Sequence, residues 1–257
     1  MKVKVAKKGK AFVEVVLEDV NAGVANALRR VMLSEVPCLS IEDVTFLENT
    51  SSFYDEIIAH RLGLVPIRTD LKLFNFREKC TCGGAGCASC TLKLTLEKEG
   101  PCTVYSHDLK PEDPKLKPQE GIPILRLGNG QKITIEAEAI LGTGKTNAKW
   151  QSAIVSYKYH PTVNVTENCD GCGDCGEACP KGIISVKKER ASISDVKECS
   201  LCNTCVETCD GGGIEVKGDP RSFILRIESN GALKPEEIFT KACEILEAKA
   251  AEMASLL

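Results

Sequence analysis

Apolar residues along this chain follow two rhythms, a period of two and a period of three to four, and the switches between them mark out its elements. Val3 and Val5 alternate with lysines, and after a Lys-Gly turn Phe12 to Leu17 form a second apolar run, so the chain opens as two strands. NAGVANALRRVMLSEVP then places Val24, Leu28, Val31 and Met32 at i, i+4, i+7 and i+8, the stripe of an amphipathic helix that stops at Pro37. Arg29 and Arg30 lie beside that stripe. Alternation returns at Leu92, Leu94 and Leu96 and again at Ile133, Ile135, Ala137 and Ala139, with the Pro-rich polar loop PEDPKLKPQEGIP between them. DEIIAHRLG reads as a short helix, and AKWQSAIVSYKY and SFILRIES read as strands. After a turn at Asn230–Gly231, Pro235, Glu236 and Glu237 suit the first turn of a last helix. Phe239, Ala242, Leu246, Ala250, Met253 and Leu257 step along it by three or four. Packing within this chain and a seam with another subunit both satisfy such a face.

The composition narrows the class without naming a function. In 257 residues, 43% hydrophobic and 27% charged, there is enough material for one to two globular domains with a real core. A formal net charge of −3 gives no bulk attraction for nucleic acid or for a membrane surface. No stretch reaches the roughly 20 apolar residues that span a bilayer, and lysines interrupt the N-terminus where a signal peptide would be apolar. The expected location is therefore the cytoplasm, where closely spaced thiols bind metal more often than they pair as disulfides.

Fifteen cysteines make that point matter. Residues 169–180, CDGCGDCGEACP, and 199–210, CSLCNTCVETCD, share one rule: Cys, two residues, Cys, two residues, Cys, three residues, Cys. The copies continue in step, with Gly182, Ile184 and Val186 after Cys179 and Gly212, Ile214 and Val216 after Cys209. Three thiolates at spacings of two wrap one face of a cubane, and the fourth reaches the other cluster. On that logic Cys169, Cys172, Cys175 and Cys209 hold one 4Fe-4S cluster, and Cys199, Cys202, Cys205 and Cys179 hold a second. A pair of zinc sites would not need the three-plus-one spacing. Cys80, Cys82, Cys87 and Cys90 form a separate group in KCTCGGAGCASCT; four thiolates without histidine suit one closed zinc site, with free thiols or an oxidised pair as the alternatives. Cys38, Cys102 and Cys243 read as small buried hydrophobes.

Other motifs carry little. Gly144-Lys145-Thr146 imitates the end of a phosphate-binding loop, but Ala139 stands where the loop needs glycine, and a strand follows where it needs a helix. His60, His107 and His160 sit in no catalytic motif, and His60 is expected to be a hydrogen-bonded structural residue.

Three stretches together resemble the family of the bacterial RNA polymerase alpha subunit, most of all its archaeal branch, the relatives of the eukaryotic third-largest polymerase II subunit. VANALRRVMLSEVPCLSIEDVTFLENTSSFYDEIIAHRLGLVPIRTD is similar to the family's first signature, GKTNAKWQSAIVSYKYHPTVNV to its second, and SFILRIESNGALKPEEIFTKACEIL to its closing strand and dimer helix. Some archaeal members carry a ferredoxin-like insertion at this place, and the eukaryotic relative has a four-Cys zinc loop like residues 80–90. The resemblance implies an α+β fold: a split alpha-subunit-like dimerisation domain (1–46, 157–166 and 215–257), a mixed β-rich insert domain (47–156) with the zinc loop, and a small ferredoxin-like domain (167–214) with two 4Fe-4S clusters. It implies that Val24, Leu28, Arg29, Arg30, Val31, Met32, Phe239, Ala242 and Leu246 face a partner. That partner would be the alpha-like small subunit L, and the heterodimer would seat the large catalytic subunits and other small subunits. Arg61 and Gly63, with Arg29 and Arg30, would lie near the large-subunit contact. The implied role is an assembly platform with no catalytic residues of its own and no direct sequence-specific DNA binding. A ferredoxin-type electron-transfer protein is the rival, with a zinc-type nucleic-acid binder behind it. Large apolar side chains are scarce in 167–214, essentially Ile183, Ile184 and Ile193, so the clusters are expected to brace the fold first, and their oxidation to bear on assembly second.

Overall fold

The computed structural model describes residues 1–256; Leu257, the last position of the expected apolar face, lies outside them. The chain forms two compact units. One gathers Met1–Lys8, Val13–Ala27 and Ser156–Arg226, and the other gathers Gly9–Phe12, Leu28–Val155 and the residues from Ile227 onward.

In the first unit, β1 (Lys2–Lys8) pairs antiparallel with β2 (Phe12–Glu18) at the edge of a four-stranded sheet. The order is β1-β2-β12-β9, with β9 at Ala153–Val165 and β12 at Ile214–Ser229. Every residue of β1 is exposed, whereas β2 alternates into the core through Val13, Val15 and Leu17. Phe223 of β12 is fully buried and meets Tyr157 edge-on, 5.7 Å between ring centres, and Tyr159 at 5.0 Å. Between β9 and β12 the chain makes the two cysteine runs. These comprise the single-turn helices α3 (Asp174–Glu177) and α4 (Thr204–Glu207) and a hairpin of β10 (Ile184–Lys187) and β11 (Arg190–Ile193).

α1 (Ala22–Ser34) begins at Asn21, whose side-chain oxygen accepts the Val24 amide at 2.9 Å, and ends short of Pro37.

The second unit is built on the sheet β3-β8-β4-β6: β3 is Cys38–Asn49, β4 Thr91–Glu99, β6 Lys110–Pro111 and β8 Lys132–Gly142. Leu94 opposes Ala137 and Leu96 opposes Ile135. The alternation read from the sequence therefore puts one face of both strands into a core shared with Ile58 and Leu62 of α2 (Asp55–Gly63). Each such side chain contributes about 1.5–3 kcal/mol by leaving water. A second pair, β5 (Cys102–Tyr105) with β7 (Pro123–Leu127), completes that core through Val104, Leu125 and Leu127. α5 (Pro235–Ser255) starts with Pro235, and Glu237 accepts the Lys234 amide at 3.0 Å. Strand content dominates with few helices, the α+β class expected.

Candidate metal centres

The segment between α2 and β4 brings Cys80, Cys82, Cys87 and Cys90 together, with all four sulfurs within 4.8 Å of one another. Cys80 Sγ lies 3.5 Å from Cys87 Sγ, Cys82 Sγ 3.7 Å from Cys90 Sγ, and Cys87 Sγ 3.9 Å from Cys90 Sγ. Cys80 and Cys90 are buried and the other two half-buried. The turn that folds them inward needs glycine: Gly83, Gly84 and Gly86 all have positive φ, and a Cβ on Gly86 would lie 2.9 Å from the Arg77 guanidinium. Arg77 clamps the loop. Its Nε donates to the Gly84 carbonyl at 3.2 Å, and its guanidinium lies 3.6 Å from Asp43 and 3.5 Å from Glu138, which oppose each other on β3 and β8. The Cys87 amide, helped by the Cys80 thiol, lowers the Cys82 pKa to about 5. Cys80 is raised to about 11: the Cys82 amide pulls it down, but the neighbouring thiols of Cys82 and Cys87 outweigh that. Four converging thiols, one already a thiolate, can hold a metal ion.

The eight remaining paired-run thiols are arranged differently. One hollow is lined by Cys169, Cys172, Cys175 and Cys209, among others. A second is lined by Cys199, Cys202, Cys205 and Cys179, among others. Each holds three thiols of one run and the last thiol of the other. Burial pushes Cys175 up, with Cys209 and Cys169 adding to it, and burial pushes Cys205 up, with Cys179, Cys199 and Cys202 adding to it. Donors aim at the sulfurs: the Ala191 amide at Cys169 (3.4 Å), Leu201 at Cys199 (3.5 Å) and Gly213 at Cys209 (3.1 Å). The Thr204 hydroxyl donates to Cys202 at 3.4 Å and, with the Thr204 amide, lowers its pKa to about 7. Among the described residues, these thiols do not converge as tightly as the 80–90 set. Four thiols around each hollow, with backbone amides turned toward their sulfurs, fit a multi-iron cluster. Apolar support is thin: Ile183, Ile184, Ala191 and Ile214 are buried together with Cys175, Cys199 and Cys205, so the thiols themselves are part of the core.

Two basic residues that sequence reasoning missed tie this segment to β9. Lys158 Nζ donates to the Lys197 and Cys199 carbonyls at 2.6 and 2.8 Å. Arg190 donates to the Val165 and Thr166 carbonyls at 3.0 and 3.2 Å. No local pattern marks either one.

Of the residues expected to face a partner, Leu28, Val31, Met32 and Ala242 are buried within the chain itself, and Arg29, Phe239 and Leu246 are half-buried. Val24 and Arg30 are exposed, as are Ala250 and Met253 further along α5. Arg61 spends its guanidinium on the Ile124 carbonyl (2.6 Å) and on the Phe53 ring (5.2 Å), while Gly63 is buried and its carbonyl accepts from Ser40 at 2.6 Å. His60 is exposed and its ring makes no hydrogen bond among the described residues, so the structural role expected of it is corrected: on the short α2 it faces outward. Gly144 serves packing, since a Cβ there would sit 2.4 Å from the Leu33 carbonyl, and the Lys145 amide donates to the Ser34 carbonyl at 2.7 Å. Cys38 is buried, its thiol directed at the Trp150 carbonyl at 3.1 Å. Cys102 and Cys243 are half-buried. No helix among the described residues is long and apolar enough to cross a membrane.

These sheets, helices and cysteine-rich segments occur in a chain whose residues 14–250 match the RNA polymerase Rpb3/Rpb11 dimerisation domain, which sets its class. The chain belongs to that family, within its archaeal Rpo3/Rpb3 group. It is 42% identical over 247 residues to the DNA-directed RNA polymerase subunit Rpo3 of Archaeoglobus fulgidus, covering 95% of this chain and 93% of the relative. To the Rpo3 of Methanosarcina acetivorans it is 40% identical over 247 residues, 94% of this chain and 92% of that one. To the Rpo3 of Methanothermobacter thermautotrophicus it is 40% identical over 256 residues, 97% of each.

Proposed function

We propose that this chain is a non-catalytic assembly platform of DNA-dependent RNA polymerase, pairing with an alpha-like small subunit (L) and seating the large catalytic subunits. The observation that carries the reading is the family match over residues 14–250, which spans both the dimerisation elements and the cysteine segments between them. The rival electron-carrier reading accounts only for residues 167–214. Within the platform, Val24 and Arg30 on α1 and the exposed distal part of α5 are the surfaces left for partners. The buried members of the expected contact set, Leu28, Val31, Met32 and Ala242, act by shaping that surface from beneath, and Arg29, Phe239 and Leu246 are half-buried. The domain division at 1–46, 47–156, 157–166, 167–214 and 215–257 belongs to the same proposal.

The cysteine runs hold two 4Fe-4S clusters, and residues 80–90 hold one zinc ion. When bound, the clusters supply eight iron–thiolate bonds to a segment whose own apolar core is small, which is how structural metals stabilise small domains. Gly171 and Gly213 let the backbone close around the first site: a Cβ on Gly171 would meet Glu189 at 2.6 Å, and one on Gly213 would meet Cys169 at 2.8 Å. The test is anaerobic co-purification of the tagged chain from its own cells, with iron, sulfide and zinc analysis. Recovery of the large polymerase subunits with about eight irons per chain is expected. Recovery of a redox enzyme in their place refutes the platform, and polymerase without iron refutes the clusters.

A further inference from the structure

The two cysteine runs are copies, and the copying extends to the residues that cover them. Lys158 precedes Cys169, and Lys188 precedes Cys199, by the same eleven residues; Gly171 and Leu201 occupy equivalent places inside the runs. The segment preceding each run covers the opposite run: Glu189, in the β10–β11 turn, lies over Gly171 of the first, while Lys158 of β9 reaches Cys199 of the second. The equivalent lysines differ in what they do. Lys188 is exposed at the tip of the β10–β11 hairpin, at φ 51°, with its ammonium in water. Lys158 is half-buried, and its ammonium bonds to the carbonyls of Lys197 and of the ligand Cys199. No carboxylate pairs with Lys158 among the described residues. The nearby Glu198 faces Lys7 at 3.7 Å. A fixed, unneutralised cation therefore stands beside the second site, whereas its counterpart at the first is solvated and screened.

We propose that Lys158 is a positioning residue that makes the two cluster sites unequal: it holds the Cys199 backbone against β9 and favours reduction at the second site. The inference rests on the iron–sulfur reading above. Reduction adds one electron, [4Fe-4S]²⁺ + e⁻ → [4Fe-4S]⁺, taken from a low-potential reductant such as dithionite. The added negative charge is stabilised by a nearby cation, and more so where water is partly excluded. Lys158 supplies that cation at the second site from a half-buried position, whereas the cation held near the first site, Arg190 on the Val165 and Thr166 carbonyls, is exposed to water.

The experiment is a mediated dithionite titration of the full chain, loaded anaerobically, followed by electron paramagnetic resonance, with iron and sulfide counted beforehand. Two one-electron steps are expected, and the Cys199→Ser variant should lack the higher one. Lys158→Gln keeps a hydrogen-bond donor but removes the charge. It should retain the wild-type iron content and shift only the higher step downward, merging it toward the lower. Lys158→Arg should restore the separation, and Lys188→Gln should leave both steps in place. A Lys158→Gln protein with full iron and an unmoved higher step overturns the inference while sparing the cluster reading, as does an equal shift of both steps. If Lys158→Gln loses iron, the Lys158→Arg protein decides: a wild-type separation of steps supports the inference and a collapsed one overturns it. A wild-type chain that takes up neither iron nor sulfide overturns both.

Discussion

Removing metal from the Cys80–Cys90 loop tests its assignment most directly, because the geometry fixes a number. Three sulfur–sulfur edges run 3.5, 3.7 and 3.9 Å. The centre of a tetrahedron with such edges lies about 2.3 Å from each corner, which is the zinc–thiolate bond length. X-ray absorption at the zinc edge should therefore show four sulfurs at about 2.3 Å and no nitrogen shell. Structural zinc sites of this kind bind with about 10–16 kcal/mol of apparent free energy near neutral pH, far more than this glycine-rich turn can supply from its own contacts. Stripping the ion should therefore loosen the loop while sparing the sheet beneath it. Hydrogen exchange reads both. The amides of Cys90 and Thr91, each bonded to the Cys87 carbonyl at 2.9 Å, should lose protection, whereas Ile135 in β8 should keep it. Cys82→Ser should give a three-sulfur shell and faster release to a chelator. A zinc-free native protein, or a chelated one with unchanged protection at Cys90 and Thr91, would refute the reasoning.

Phe223→Ala should cost about 3–5 kcal/mol, a core cavity, while Phe223→Leu, which keeps most of the volume, should cost about 1–3 kcal/mol for two lost ring contacts. Protection of β12 amides measures both, and a Phe223→Leu protein with unchanged protection would show that the rings of Tyr157 and Tyr159 add nothing specific. Burial raises the Cys38 pKa from 9.0 to about 12, so its neutral thiol is the form the fold favours. The stability it contributes is present below pH 9 and is lost as pH rises from there toward 12. Cys38 should therefore resist iodoacetamide at pH 8 until the chain unfolds; rapid labelling in the native state would contradict this.

What could be read in advance follows the range of the interaction. α1 and α5 were legible because a periodic apolar face and a Pro-Glu-Glu first turn are local properties; Pro235–Glu237 open α5 as their positions indicate. The convergence of Cys80, Cys82, Cys87 and Cys90 was legible for the same reason, since their short spacings keep the thiols in one loop. Arg77 was not: its partners Asp43 and Glu138 come from two distant strands. Lys158 and Arg190 were hidden likewise, because their acceptors are backbone carbonyls, which have no signature. Periodicity also could not say which surface the apolar stripe meets. Leu28, Val31 and Met32 pack inside the chain, and only Val24 of that set stays open. β12 runs further back than SFILRIES: Gly218 and Pro220 are carried in an extended strand from the second cysteine run into the sheet.

The lysines of β1 have one more consequence. A strand at the rim of a sheet offers unpaired amides and carbonyls to any other chain that can lie alongside. Here Lys2, Lys4, Lys7 and Lys8 sit on that rim, all exposed. Another copy adding there would bring like charges into register, so edge-to-edge aggregation is disfavoured. The charged rim thus keeps separate copies of the chain apart at this edge.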